Sequence, residues 1–193
     1  MNSKLKKILI TILMIIFSVT SILFISRKVN NSSEKENIEV VSRRDPFYSN
    51  GTFLSEEGTE IDPYVISSKS NMDELSRQVS EEKKTFKGKV FVVDANVSEI
   101  DLGNFVPIGT RTYPFEGIFD GYGTNFILNI DKPALELQGL FGHIRTGLIE
   151  NVSVSGSITG YDFVGGIVGW QESGTVRNVY NTARIEATRN TAG

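Results

Sequence analysis

Residues 139–185 read GLFGHIRTGLIENVSVSGSITGYDFVGGIVGWQESGTVRNVYNTARI, and this stretch superposes on itself with a shift of 27 residues. Gly139-Leu-Phe-Gly142 falls on Gly166-Ile-Val-Gly169, Gly147 on Gly174, Ile149 on Val176, Asn151–Val152 on Asn178–Val179, and Ile158 on Ile185. One offset kept through glycine, asparagine and apolar positions alike marks a repeated structural unit. An earlier, more degenerate copy runs from Gly117-Ile-Phe to Ile127-Leu-Asn129-Ile130, shifted by 22 residues from the second, with Asp120–Gly121 near its turn. One further 27-residue step puts Gly193 on Gly166, so the last coil is expected to show unpaired strand edges that invite association with another chain.

Val152, Val154 and Ile158 lie on one face of an alternating pattern, and no helical stretch separates the copies. Each copy therefore reads as one coil of a β-solenoid, whose apolar face is buried only when coils stack about 4.8 Å apart. The predicted fold class is all-β, a right-handed parallel β-helix. An antiparallel sandwich is the rival, but it does not require a constant offset. Gly121, Gly142, Gly147, Gly169 and Gly174 read as the glycines that turn the corners. Asn129, Asn151 and Asn178 share one repeat position and are expected to stack as an amide ladder bonding to each other and to corner backbone. Tyr122, His143 and Trp170 each follow a corner glycine, which predicts an aromatic row on one outer edge. Such a row suits sugar rings or extended peptides; the plainer reading is that the rings pack on one another and shield the corner.

Ahead of the repeats, Pro63–Ile66 is a short β-prone run. Asn71 and Glu74 stand at capping-box spacing, and Met72, Leu75 and Val79 fall on one helical stripe. This predicts a helix near residues 72–83 covering the N-terminal end of the solenoid, within a β-helix domain spanning 51–193. Residues 29–50 are polar and mixed in charge, a spacer. Residues 1–28 are a signal peptide or membrane anchor: Lys4, Lys6 and Lys7 precede an 18-residue uncharged run, Ile8 to Ile25. The anchor is preferred, because the small-residue site Val19–Ser21 lies inside the apolar run. The lysines keep the N-terminus cytoplasmic, so everything downstream is expected outside, with the membrane as a partner through residues 8–25.

The segment GLFG…GLIENVSVSGSITG…VGGIVGW…SGTVRNVY resembles the GLUG repeat of bacterial surface proteins, over about residues 115–193. The same motif precedes the catalytic domain of Gram-positive IgA1-specific zinc metalloproteases, and the lead-in DPYVISS through PIGT and FEGIFDGYG is similar as well. The resemblance implies a cell-surface or secreted, non-catalytic adhesion, binding or spacer module, or the non-catalytic N-terminal part of such a peptidase. A host or cell-wall glycan or protein is the implied partner.

Residues 29–193 carry 15 basic and 23 acidic side chains, a net charge of about −8, which repels phosphate backbones and argues against nucleic acid. With no cysteine, disulfides and thiolate metal sites are excluded. A zincin needs two histidines one helical turn apart, and the chain has one histidine, His143, expected as a solvated turn residue. There is no G-x-S-x-G elbow to give it a nucleophile. The acids Asp94, Asp101, Asp120 and Asp131 do not recur at one repeat position, so the carboxylate cluster of a polysaccharide-cleaving β-helix is not assembled. No catalytic residue, cofactor or metal is assigned.

Overall fold

The computed structural model describes residues 57–189. The expected anchor at 8–25, the spacer at 29–50 and Gly193 lie outside the described residues. Ten strands and one helix follow in the order β1 (Tyr64–Ile66), α1 (Lys69–Ser80), β2 (Val90–Val93), β3 (Glu99–Gly103), β4 (Ile118–Asp120), β5 (Asn125–Asp131), β6 (Phe141–Ile144), β7 (Leu148–Gly160), β8 (Val168–Gln171), β9 (Thr175–Asn181) and β10 (Arg184–Ala187).

Every pairing between these strands is parallel. A parallel pair needs a long connection, and here it is the remainder of one coil, so the chain winds into a β-solenoid of about 5 turns. Three faces result. The first stacks β1, β2, β4 and the beginnings of β7 and β9; the second stacks β3, β5, the rest of β7, and the end of β9 with β10. The third is β6 on β8, extended by a bridge from Ile108 to Phe141. Strand β7 bends from the first face to the second at Asn151, whose φ is 55°.

Inward positions form ladders: Phe91, Phe119, Ile149 and Val176 on the first face, and Ile130, Ile158 and Ile185 on the second. Phe91, Phe115, Phe119, Phe126 and Phe141 are fully buried and meet ring to ring at 5.2–6.1 Å. Burial of each such ring contributes about 1.5–3 kcal/mol, so phenylalanines in the early coils fill volume that Ile and Val fill in the later ones.

Helix α1 starts three residues earlier than its sequence stripe suggests. Its cap is Ser68, whose hydroxyl accepts the Asn71 N–H, while Asn71 Oδ1 reaches back to the Ser67 N–H at 3.0 Å and to the Ser67 and Ser68 hydroxyls. The reciprocal box is therefore Ser68 with Asn71, because serine is the better cap and an amide oxygen can accept as a glutamate does. Met72, Leu75 and Val79 are all buried in the solenoid core, and Ser76 fixes the helix by donating to the Val106 carbonyl at 2.7 Å.

The register of the degenerate copy also differs from expectation. Ile118 pairs with Leu148, and Ile127 with Ser155, so Gly117 stands beside Gly147 and not Gly139. Longer connections in the third coil absorb the difference, and the apolar match at the 22-residue shift is coincidental.

Candidate functional site

The third face brings His143 and Trp170 together: their positions pair across β6 and β8, and the rings stack at 4.1 Å with 7° between planes. Phe163 follows on Trp170 at 5.7 Å, and the Arg111 guanidinium lies 5.3 Å from the Trp170 ring and 5.6 Å from Phe163. Arg111 is itself paired with Glu136. This collects two aromatic rings, an imidazole, a cation and two carboxylates on one surface.

His143 is not the solvated turn residue expected. It is 1% exposed, inside β6. Its Nδ1 lies 3.0 Å from the Thr110 carbonyl oxygen and its Nε2 3.1 Å from Glu172 Oε2. Both partners are acceptors, a neutral imidazole has one N–H to give, and the ring is buried, so neither nitrogen faces solvent. Trp170 is half-buried, with one face given to His143.

Tyr122 does not join this row. It stands at the corner after β4, on the other side of the coil, at the position held by Asn151 and Asn178 in later coils: the three φ values are 51°, 55° and 52°. The expected row of three is therefore a stacked pair plus a separate exposed tyrosine. On the third face the preceding coil runs through Ile108, which bridges to Phe141, so Thr110 and not Tyr122 stands beside His143; the degenerate copy also carries two more residues at the corner after β4 than the next coil does.

The amide ladder is corrected in the same way. Asn178 Nδ2 donates to Asn151 Oδ1 at 3.2 Å and Asn151 Nδ2 donates to Asp120 Oδ1 at 2.8 Å, so the third member is Asp120. Asn129 lies on the second face opposite Ser157, 28 residues on, at a marginal 3.5 Å. Asparagine suits Asn151 and Asn178 because it tolerates the left-handed backbone, and the carboxylate of Asp120 closes the ladder while also accepting the Tyr122 N–H at 2.9 Å.

Of the expected corner glycines, Gly121, Gly147 and Gly174 do lie at corners, after β4 and before β7 and β9. Gly142 and Gly169 instead lie inside β6 and β8. A Cβ on Gly142 would sit 2.6 Å from the Gly109 oxygen and 2.8 Å from the Leu137 oxygen, and one on Gly169 would sit 2.5 Å from the Phe163 oxygen. These glycines admit connecting backbone that packs over the third face.

Charge is distributed less simply than the net value suggests. Lys83, Lys84, Lys87 and Lys89 surround Phe86 in the connection after α1, a basic run that the overall balance conceals. Its charges are answered within the chain: Lys83 lies 5.8 Å from the Tyr113 ring, Lys84 pairs with Glu82 at 2.7 Å, and Lys89 donates to the Glu57 carbonyl at 2.7 Å. Nearby, Glu116 pairs with Arg145 at 3.1 Å. Burial would raise the Glu116 pKa, but hydrogen bonds from Thr85 and Arg145, with the charges of Arg145 and Lys87, hold it below the ordinary value. Among the described residues no cluster of His, Asp and Glu could hold a metal ion.

Arg111, Glu172 and Phe163 were not singled out in the sequence, and Asp120 was named there as an acid beside a turn and not as a ladder member. Asp120 alone left a signal, an acid at a strand end directly before a corner glycine; the others reach the site through connections whose path has no periodicity.

Compared with known proteins, the chain matches no family model and no solved structure. It is 27% identical over 175 residues, 88% of its length, to halomucin of Haloquadratum walsbyi. That alignment covers 2% of halomucin.

Proposed function

We propose that this chain is a non-catalytic extracellular surface module that binds a host or cell-wall component or spaces other domains from the cell, held at the membrane through residues 8–25. Its coils are taken to wind right-handed, the hand that strand twist favours in parallel connections. The observation that carries the reading is the parallel register of the coils, which turns each repeat position into an outward row and builds extended faces in place of a cleft. The burial of His143 between two protein acceptors supports a non-catalytic role. The GLUG-like residues 139–179 and the likeness to halomucin support a surface location.

The test is the full chain, C-terminally tagged, expressed in a bacterial host. The tag is expected to be cleaved by protease added to intact cells, and the purified chain to leave IgA1 and polysaccharide substrates uncut. A protected tag overturns the surface location, and cleavage of either substrate overturns the non-catalytic reading. The second reading, a module ahead of an IgA1-type zinc metallopeptidase, rests on the repeat resemblance alone. An H-E-x-x-H motif downstream in the same gene would decide for it.

A further inference from the structure

We propose that the outer surface of the second face, between Tyr122 and Tyr180, is a binding site for an uncharged, extended glycan chain. The proposal rests on the surface-module reading and gives that module its ligand class.

Strand pairing sets Glu99, Asn125, Ser153 and Tyr180 in one outward row, one residue from each of four successive coils. The corner beside this row carries Tyr122. In the third coil the chain makes an extra turn there: Tyr122 and Gly123 both have positive φ, 51° and 85°, and the Thr124 N–H closes the turn on the Gly121 carbonyl at 2.9 Å. Two residues of positive φ are the backbone of a type I′ turn, and this one lifts Tyr122 clear of the sheet. Tyr122 is 60% exposed and Tyr180 67% exposed. Tyr161, by contrast, is 41% exposed and lies under the Arg189 guanidinium at 5.5 Å. Among the described residues, Tyr122 and Tyr180 have no ring partner and their hydroxyls no hydrogen bond.

The two tyrosines stand two coils apart, roughly 10 Å along the stacking direction at the usual strand spacing, with Tyr122 set back at the corner. Ser153 occupies the intervening coil, and its hydroxyl has no partner among the described residues. Asn125 commits its amide nitrogen to Glu99 and Ser155, which leaves its Oδ1 as an open acceptor on the same surface. Separated aromatic faces over a floor of free donors and acceptors are the chemistry a sugar chain requires: its C–H faces stack on the rings and its hydroxyls bond between them. Rigid tyrosines provide that contact at little cost in side-chain entropy.

Charge and backbone geometry narrow the occupant. Glu99, Asp101 and Asp131 point outward from β3 and β5, while Arg184 is paired with Glu186 at 3.4 Å, so the surface disfavours anionic polymers. An extended peptide binds by adding a strand to an open edge, and among the described residues such edges lie at β3 and at β9 and β10, the two ends of this face, and not across the row between them. A neutral glycan is the occupant that fits both constraints.

The experiment is calorimetry of the purified full chain with cellohexaose, with chitohexaose, and with heparin as an anionic control. One of the neutral hexaoses is expected to bind and heparin not to. Tyr122→Ala and Tyr180→Ala are expected each to weaken that binding about tenfold, the loss of one stacked ring, with unchanged unfolding midpoints. Tyr180→Phe should retain most of the affinity. Equal binding by the alanine variants, loss of binding in Trp170→Ala at an unchanged midpoint, or preference for heparin would each overturn the proposal. Failure of both hexaoses would overturn it too, and would leave the surface-module reading standing if the tag is still accessible on intact cells.

Discussion

The imidazole of His143 lies flat on the indole of Trp170, 4.1 Å between ring centres and 7° from parallel, each ring delivered by the same position of successive coils. A repeat register is thereby converted into a specific side-chain contact, with the Thr110 carbonyl and the Glu172 carboxylate at the two nitrogens of the imidazole.

The stack predicts a stability and a spectroscopic effect together. His143→Ala removes a buried ring that covers Trp170 and lies against the Thr110 carbonyl, which is expected to cost about 1–3 kcal/mol. Trp170 is the only tryptophan, so its emission should move to longer wavelength as water reaches the indole. Denaturant unfolding followed by fluorescence checks both, and an unchanged midpoint with unchanged emission would mean that the contact is not held in solution.

The corrected amide ladder separates Asn151 from Asn129. Asn151→Ala breaks the links to Asp120 and Asn178 and forces alanine into a left-handed backbone, with an expected cost of about 1–3 kcal/mol. Asn151→Gly relieves the backbone component only and should recover part of the loss. Asn129→Ala, at an exposed position with one marginal contact, is expected to change the unfolding midpoint by no more than about 0.5 kcal/mol. Equal effects at the two positions would restore the ladder read from sequence.

Glycine substitutions should sort by what surrounds them. Gly156 has φ +100°, and a Cβ there would run into the Leu128 carbonyl. Gly123 has φ +85° with open space around it. Gly156→Ala is expected to destabilise by more than about 2 kcal/mol, through strain and collision together, and Gly123→Ala by about 1 kcal/mol from backbone strain alone. Thermal unfolding of the pair tests the order, and a reversed order would count against the stacking of Gly156 on Leu128.

Acid sensitivity follows from Glu116. Its folded pKa lies below the ordinary glutamate value. The stability it contributes is therefore fully present above the unfolded pKa, about 4.3, and is lost as pH falls from there through the lower folded value. Glu116→Gln should remove this component, so the variant's midpoint should fall less steeply than the parent's between about pH 5 and pH 3. Parallel pH profiles for the two proteins would show that the Arg145 and Thr85 bonds contribute nothing net.

What the sequence determined by itself was the coil. A constant offset between 139–160 and 166–187 fixes which residues stack, because in a solenoid each repeat position meets its own equivalent in the next turn, and that logic carries Val152 to Val179 and Ile158 to Ile185 without reference to distance. It also yielded the apolar stripe of α1, since burial of Met72, Leu75 and Val79 follows from helical spacing. The tertiary structure alone decided where the copies differ in length. The true register of the early copy, 30 residues at Ile118–Leu148 and 28 at Asn129–Ser157, set Tyr122 on a different face from His143 and put Asp120 in the place assigned to Asn129. Connections without periodicity brought Thr110 and Glu172 to His143, a histidine that sequence placed at a wet corner, and Arg111 to Trp170. Side-chain pattern records which residues repeat; the path of the backbone between repeats, set by packing across coils, determines what each of them touches.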